Sequence, residues 1–162
     1  MKRAGFAEIL ARLVEHEVEF VVVGMTAGVL QGAPLTTLDL DIVHRRSAAN
    51  VDRLLIALGE LDAVYRHDTR GLRPTASHLV SDGHQLLRTA HGDLDCLGTI
   101  DDGRGYDELL PMTIEMALAD GKATRVLSLS ALIDAKERAG RPKDLAALPV
   151  LRATLDETTR RN

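Results

Sequence analysis

At 162 residues, 45% of them apolar and 27% charged, the chain has the size and balance of one soluble globular domain, which excludes an intrinsically disordered chain. Two Phe, two Tyr and no Trp leave no aromatic platform for stacking single-stranded nucleic acid. A net charge of −4 provides no global attraction to nucleic acid or to an anionic membrane. The lone cysteine, Cys96, excludes an internal disulfide and a cysteine-bound structural zinc, in keeping with a reducing compartment.

The amino-terminal stretch MKRAGFAEILARLVEHEVEF carries charges every few residues and lacks an unbroken apolar core, so it reads as neither signal peptide nor anchor. No other window approaches the roughly 18 apolar residues of a membrane span. A cytoplasmic protein without membrane contact is the expectation. Phe6, Ile9, Leu10, Leu13 and Val14 recur at helical spacing, with Glu8 and Arg12 on the outer side, and predict a first amphipathic helix.

Phe20 to Val23 is a continuous β-branched and aromatic run that suits a strand buried on both faces. Gly24 ends it, and Met25 to Leu30 predict a short helix. Gly24, Gly28 and Gly32 lie four apart. They suit either a smooth helical edge for close packing or a turn whose N–H groups meet a phosphate. Neither a G-x-G-x-x-G fingerprint nor a Walker loop is present.

Leu38 to Val43 alternates, with Leu38, Leu40 and Ile42 on one face and Asp39 and Asp41 on the other. Residues two apart on a strand project side by side, about 6.5–7 Å apart. Such an Asp-x-Asp suits a solvated strand face, or a pair of divalent cations held roughly 3.5–4 Å apart for in-line displacement at phosphorus. Ser47 then caps a helix bearing Val51, Leu54, Leu55 and Leu58 and ending near Gly59. Ala63 to Tyr65 predicts a short strand, and Arg66 to Gly83 reads as loop. His67, His78, His84 and His91 show no metal-ligand spacing and read as surface residues.

Gln85 to Thr89 and Leu94 to Leu97 predict a hairpin around His91-Gly92. Asp93 and Asp95 share one face there, and Leu94 and Cys96 the other. Thr113 to Leu118 and Ala123 to Leu127 predict two more strands joined through Asp120-Gly121. Ser128 or Ser130 caps a helix through Leu132, Ile133, Lys136 and Ala139, closed by Gly140. Pro142 opens a last helix that Pro149 is expected to interrupt.

In this order, the pieces resemble the small nucleotidyltransferase fold shared by minimal nucleotidyltransferases and AbiEii-type toxins. LQGAPLTTLDLDIV is similar to that family's loop and metal strand, LDCLGTI to its third-acid strand, and VLSLSALIDAKERAGRPKDLAAL to its closing helices. The resemblance implies an α+β domain over 1–162: a mixed β-sheet flanked by helices with a core over about 6–128, and a helical C-terminal segment over about 129–157. It implies that Asp39, Asp41 and Asp95 hold Mg²⁺ or Mn²⁺ in a two-metal site, since hard cations favour oxygen ligands. It also implies that the backbone at Gly24, Met25 and Thr26 cradles the triphosphate, and that Lys136, Arg141 and Lys143 neutralise phosphate charge.

The implied activity moves an NMP from an NTP to a hydroxyl of RNA or protein, in a chain that could be a toxin with a cognate antitoxin. An inactive nucleotide-binding or regulatory module of the same fold is the alternative. The family commonly has a second small residue where Met25 stands, and basic residues where Leu35 and Leu38 stand. Lys136, Arg138, Arg141 and Lys143 suit a solvated helix face as well as a phosphate site, and Asp144 suits a helix-start residue satisfying orphan N–H groups.

Overall fold

Strand β1, Phe20–Val23, is buried at every position and forms the middle of the molecule with β2, Asp39–His44. The structure is a computed structural model that describes residues 5–101 and 103–162. Among these residues a single seven-stranded sheet joins β3 (Val64–Tyr65), β4 (His84–Thr89), β5 (Gly92–Leu97), β2, β1, β7 (Ala123–Leu127) and β6 (Thr113–Ala117), in that spatial order. Two pairings are parallel, β2 with β5 and β1 with β7, and the others are antiparallel. The sheet is mixed and flanked by helices, as expected.

The helices follow from amphipathic periodicity and local caps. Helix α1, Phe6–Glu15, buries Ile9, Leu10 and Leu13. The short α2 spans Gly24–Leu30, and α3, Ala48–Glu60, begins where the Ser47 hydroxyl accepts a hydrogen bond from the Asn50 N–H. Asn50 is itself buried and bridges three chain segments: its amide donates to the Glu19 and Arg45 carbonyls, and its side-chain oxygen accepts from the Glu19 N–H. Buried polar side chains are stable when satisfied in this way.

Three local expectations are corrected. The 66–83 segment is not all loop: α4 spans Ala76–Leu79, with Leu79 fully buried and the ring of buried His44 donating to its carbonyl at 2.7 Å. Leu38 lies outside β2 and is 70% exposed, because β2 begins only at Asp39. Pro149 does not interrupt the last helix. Helix α7 runs unbroken over Pro142–Arg161; Leu145 and Pro149 lie on its exposed side, where water can serve the Leu145 carbonyl that Pro149 cannot, while buried Ala147, Leu148 and Leu151 hold the helix to the core. A short helix not foreseen from the sequence, α5, spans Tyr106–Leu109.

Helix α6, Leu129–Ala139, is capped by the Ser128 hydroxyl, which accepts from the Ala131 N–H at 3.2 Å. It ends at Gly140 with φ of +63°, a left-handed turn that glycine adopts without penalty. That turn folds α7 back onto α6, and α6 also packs on α2. The closing helices therefore stand beside the junction of β1 and α2, next to the Asp-bearing strand.

Candidate active site

The junction of β1 and α2 fixes the position of Asp41. Val23, the last residue of β1, is the register partner of Asp41 in the antiparallel β1–β2 pair. Gly24 follows with φ of +64°, and any Cβ there would collide with the Asp41 carboxylate. Gly24 is thus needed both for its backbone conformation and for the space that Asp41 occupies. Thr26 is buried, and its hydroxyl donates to the Asp39 carbonyl at 2.8 Å, as the Thr37 hydroxyl does at 3.0 Å. These bonds pin the start of β2. Met25 is half-buried and packs against the core.

The parallel β2–β5 pair sets the remaining acids in register: Asp39 opposite Asp93, and Asp41 opposite Asp95. Register partners on neighbouring strands project to the same face, so four carboxylates share one face while Leu40, Ile42, Leu94 and Cys96 fill the other. The Asp41 carboxyl is pushed up to about 7. Its burial is the largest cause, followed by the charge of Asp95, a hydrogen bond shared with Asp95, and the charge of Asp39; Lys136 opposes them. A buried acid pressed by like charges holds a proton or attracts a cation.

One cation is already present. Arg66, just past β3, donates from Nη1 to Asp95 Oδ1 at 2.9 Å and lies 3.8 Å from Asp93 Oδ2. The same nitrogen donates to the Leu87 carbonyl at 2.9 Å, and the Arg66 N–H donates to the Leu86 carbonyl at 3.0 Å. Side-chain exposure is only 13% for Arg66 and 10% for Asp95, so the pair is well shielded from solvent. Sequence reading misses Arg66 because it sits at the head of a segment without periodicity, and its partner lies on a different hairpin.

On the other side of Asp41 lies an open cleft of about 130 Å³, lined in part by Gly24, Asp41, Lys136, Arg141 and Asp144. Asp144 is completely buried and gathers both cations. Lys136 Nζ reaches its Oδ1 at 3.0 Å, and Arg141 Nε its Oδ2 at 2.6 Å. Burial alone would raise the Asp144 carboxyl, but the bonds from Arg141 and Lys136 prevail and hold it below the usual carboxylate range.

Asp144 therefore does more than start a helix: it orients two cations toward the cleft. The Gly140 turn brings it back onto Lys136, a contact between two helices that helical periodicity does not reveal. Lys143, by contrast, is exposed and outside the cleft lining, and Arg138 pairs with Asp134 on an exposed face. The structure thus brings together Gly24, Asp41, Lys136 and Arg141 at the cleft. Asp39 and Asp95 flank Asp41 on the sheet.

Among the described residues, no group of three or more His, Cys, Asp or Glu side chains is gathered to hold a metal ion. Asp39 and Asp41 nevertheless fit a divalent cation by donor chemistry, since both offer hard carboxylate oxygens and Asp41 is pressed by the like charges of Asp95 and Asp39. Asp95 fits less simply because Arg66 already holds it.

The architecture and the Asp-bearing strands together define the class: the chain has a nucleotidyltransferase fold. Among solved structures it is similar to the lincosamide antibiotic adenylyltransferase LnuA bound to lincomycin, with a TM-score of 0.62 and 14% identity over 95% of this chain and 98% of that one. It is also similar to ANT(2")-Ia in complex with adenylyl-2"-tobramycin, with a TM-score of 0.61 and 18% identity over 93% of this chain and 87% of that one. TM1012 from Thermotoga maritima aligns with a TM-score of 0.54 and 20% identity over 97% of this chain and 96% of that one. No protein-family profile and no curated protein matches the chain.

Proposed function

We propose that the chain is a nucleotidyltransferase that moves an NMP from an NTP to a hydroxyl acceptor, with the triphosphate in the cleft between Gly24 and the closing helices. The observation that carries this reading is the arrangement around Asp41: a half-buried carboxyl with Asp95 in register beside it and Asp39 two residues along the same strand face, beside a cleft where Lys136 and Arg141 are held by a common carboxylate. Isolated solvated acids on a strand would not have a lysine and an arginine set in a cleft beside them.

In this reading Lys136 and Arg141 bind phosphate oxygens, Arg141 with a planar fork suited to them and Lys136 as a point charge. The backbone from Gly24 to Thr26 borders the triphosphate, while Met25 narrows the approach. Asp39 and Asp41 would hold Mg²⁺ or Mn²⁺, which when bound stabilises the entering and leaving oxygens of an in-line displacement. Asp95 takes the proton of the acceptor hydroxyl on the carboxylate oxygen that Arg66 does not hold. The acceptor oxygen forms a bond to the α-phosphorus, the bond to the bridging oxygen breaks, and pyrophosphate leaves with the electron pair. No covalent enzyme intermediate is required.

The acceptor is a hydroxyl of RNA, of a protein, or of a small polyhydroxylated molecule. The last class is suggested by the adenylyl-tobramycin and lincomycin bound in similar structures, and the first two by the resemblance to toxins, which also brings in a cognate antitoxin and a cytoplasmic setting. No helix among the described residues is long and apolar enough to cross a membrane. Incubation with each labelled NTP, Mn²⁺ and either a cell extract or a panel of aminoglycosides and lincosamides is the test. Label on an acceptor that disappears in the Asp41→Asn variant supports the reading. Nucleotide binding without transfer to any fraction would support an inactive module instead, the reading that the Arg66–Asp95 bond favours.

A further inference from the structure

Resting on the transferase reading, we infer that the Arg66 guanidinium is the resident cation at Asp95, standing where a two-ion centre would put its second metal, so that the folded protein takes one divalent ion, on Asp39 and Asp41. Three observations converge. Arg66 makes a direct ion pair with Asp95 and lies near Asp93, with both partners of the pair shielded from water. The same guanidinium nitrogen is tied to the Leu87 carbonyl and the Arg66 N–H to the Leu86 carbonyl, so the group is anchored to β4 at both ends. The described acids form no three-ligand group, as expected when one of them is committed to an arginine.

The charge pattern explains why this arrangement holds. Asp39, Asp41, Asp93 and Asp95 crowd one face of two adjacent strands, and Lys136 and Arg141 are directed to Asp144. Arg66 alone among these cations is bonded to the strand acids. To bind at Asp95, a second divalent ion would have to displace a guanidinium that is hydrogen-bonded on the protein side, break an ion pair of low exposure and leave an arginine charge without its partner. Such a broken pair is strongly unfavourable. A permanently charged planar cation also needs no uptake from solution, so the second positive charge is built into the fold.

The test is Mn²⁺ binding to the full chain, read by calorimetric stoichiometry and by electron paramagnetic resonance, first with the metal alone and then with a non-hydrolysable NTP analogue. Wild type is expected to bind one Mn²⁺ with the spectrum of an isolated ion, even at excess metal. Arg66→Met keeps an apolar stem of similar length without the charge, and is expected to bind two, with the broadened spectrum of a coupled pair at the roughly 3.5–4 Å spacing of two-metal sites. Arg66→Lys keeps the charge and is expected to keep a single ion. A purely structural role at the Leu87 carbonyl would alter the melting temperature of Arg66→Met without altering its metal count. Two ions bound to wild type, or the same single ion in Arg66→Met, overturns the inference while leaving the transferase reading standing. No ion bound by wild type or variant overturns both.

Discussion

Asp41 and Asp144 line the same cleft from opposite walls and have opposite electrostatic characters. Asp41 is raised first by burial and then by the charges of Asp95 and Asp39, and its carboxyl rises to about 7. Asp144 has no exposure to solvent, yet two cations hold it below the usual range. Burial raises both carboxyls, and the neighbouring charges reinforce it at Asp41 and outweigh it at Asp144. The comparison separates two tasks: Asp144 keeps cations in position, and Asp41 waits for one.

The sharpest way to break this contrast is to neutralise Asp41. Asp41→Asn is expected to lower transferase turnover by about 10³-fold or more, equivalent to roughly 4 kcal/mol of transition-state stabilisation, measured with the acceptor found in the labelling assay. Full activity in that variant would remove Asp41 from the mechanism.

The pH dependence of stability tests the raised carboxyl directly. Asp41 binds its proton more tightly in the folded state than in the unfolded chain, where its value is the ordinary 3.8. Its contribution is therefore fully present below about pH 4 and is lost as pH rises toward 7. In chelator, wild type is expected to lose up to about 4 kcal/mol relative to Asp41→Asn between those limits, read from denaturant unfolding. Added Mn²⁺ should return part of the loss at pH 8 by mass action, in wild type only.

Asp144 gives the opposite sign. Its depressed carboxyl stabilises the fold above its unfolded value and fails as pH falls through the folded one, below about pH 4. Asp144→Ala removes the partner of Lys136 and Arg141 and is expected to cost about 3 kcal/mol at pH 7, seen as a lower denaturation midpoint. The smallest effect belongs to Lys136→Met, which is expected to raise the KM for NTP about tenfold, or roughly 1.4 kcal/mol, and to change kcat less. A fall in kcat with constant KM would instead put Lys136 at the transition state alone.

The two acids also differ in how far the sequence reveals them. Asp39 and Asp41 stand out because strand alternation is local, and Gly24 because a left-handed residue must follow β1. The seven-strand order is a matter of pairing between distant segments, and the sequence pattern announces the strands without ordering them. Arg66 and the clasp of Asp144 were hidden for the same reason: each contact joins separate elements, and nothing in the spacing of either residue signals its partner. Pro149 misled in the other direction, because a local helix penalty was outweighed by the buried face of α7.

The register that sets Asp41 beside Asp95 also bears on how the protein folds. β2 and β5 are parallel neighbours, so they can meet only after the intervening chain, with α3, β3, α4 and β4, has closed between them. Closing such a loop carries an entropic cost before any contact is made, and non-local pairings of this kind slow folding. The adjacent acids add repulsion at that step. Assembly of the acid face is then a late step, and the β2–β5 amides are expected to gain protection after those of the β4–β5 hairpin in pulsed hydrogen exchange. A chain trapped before that step would hold a formed β4–β5 hairpin with no acid pair, so newly made protein acquires its chemistry only when this crossover closes.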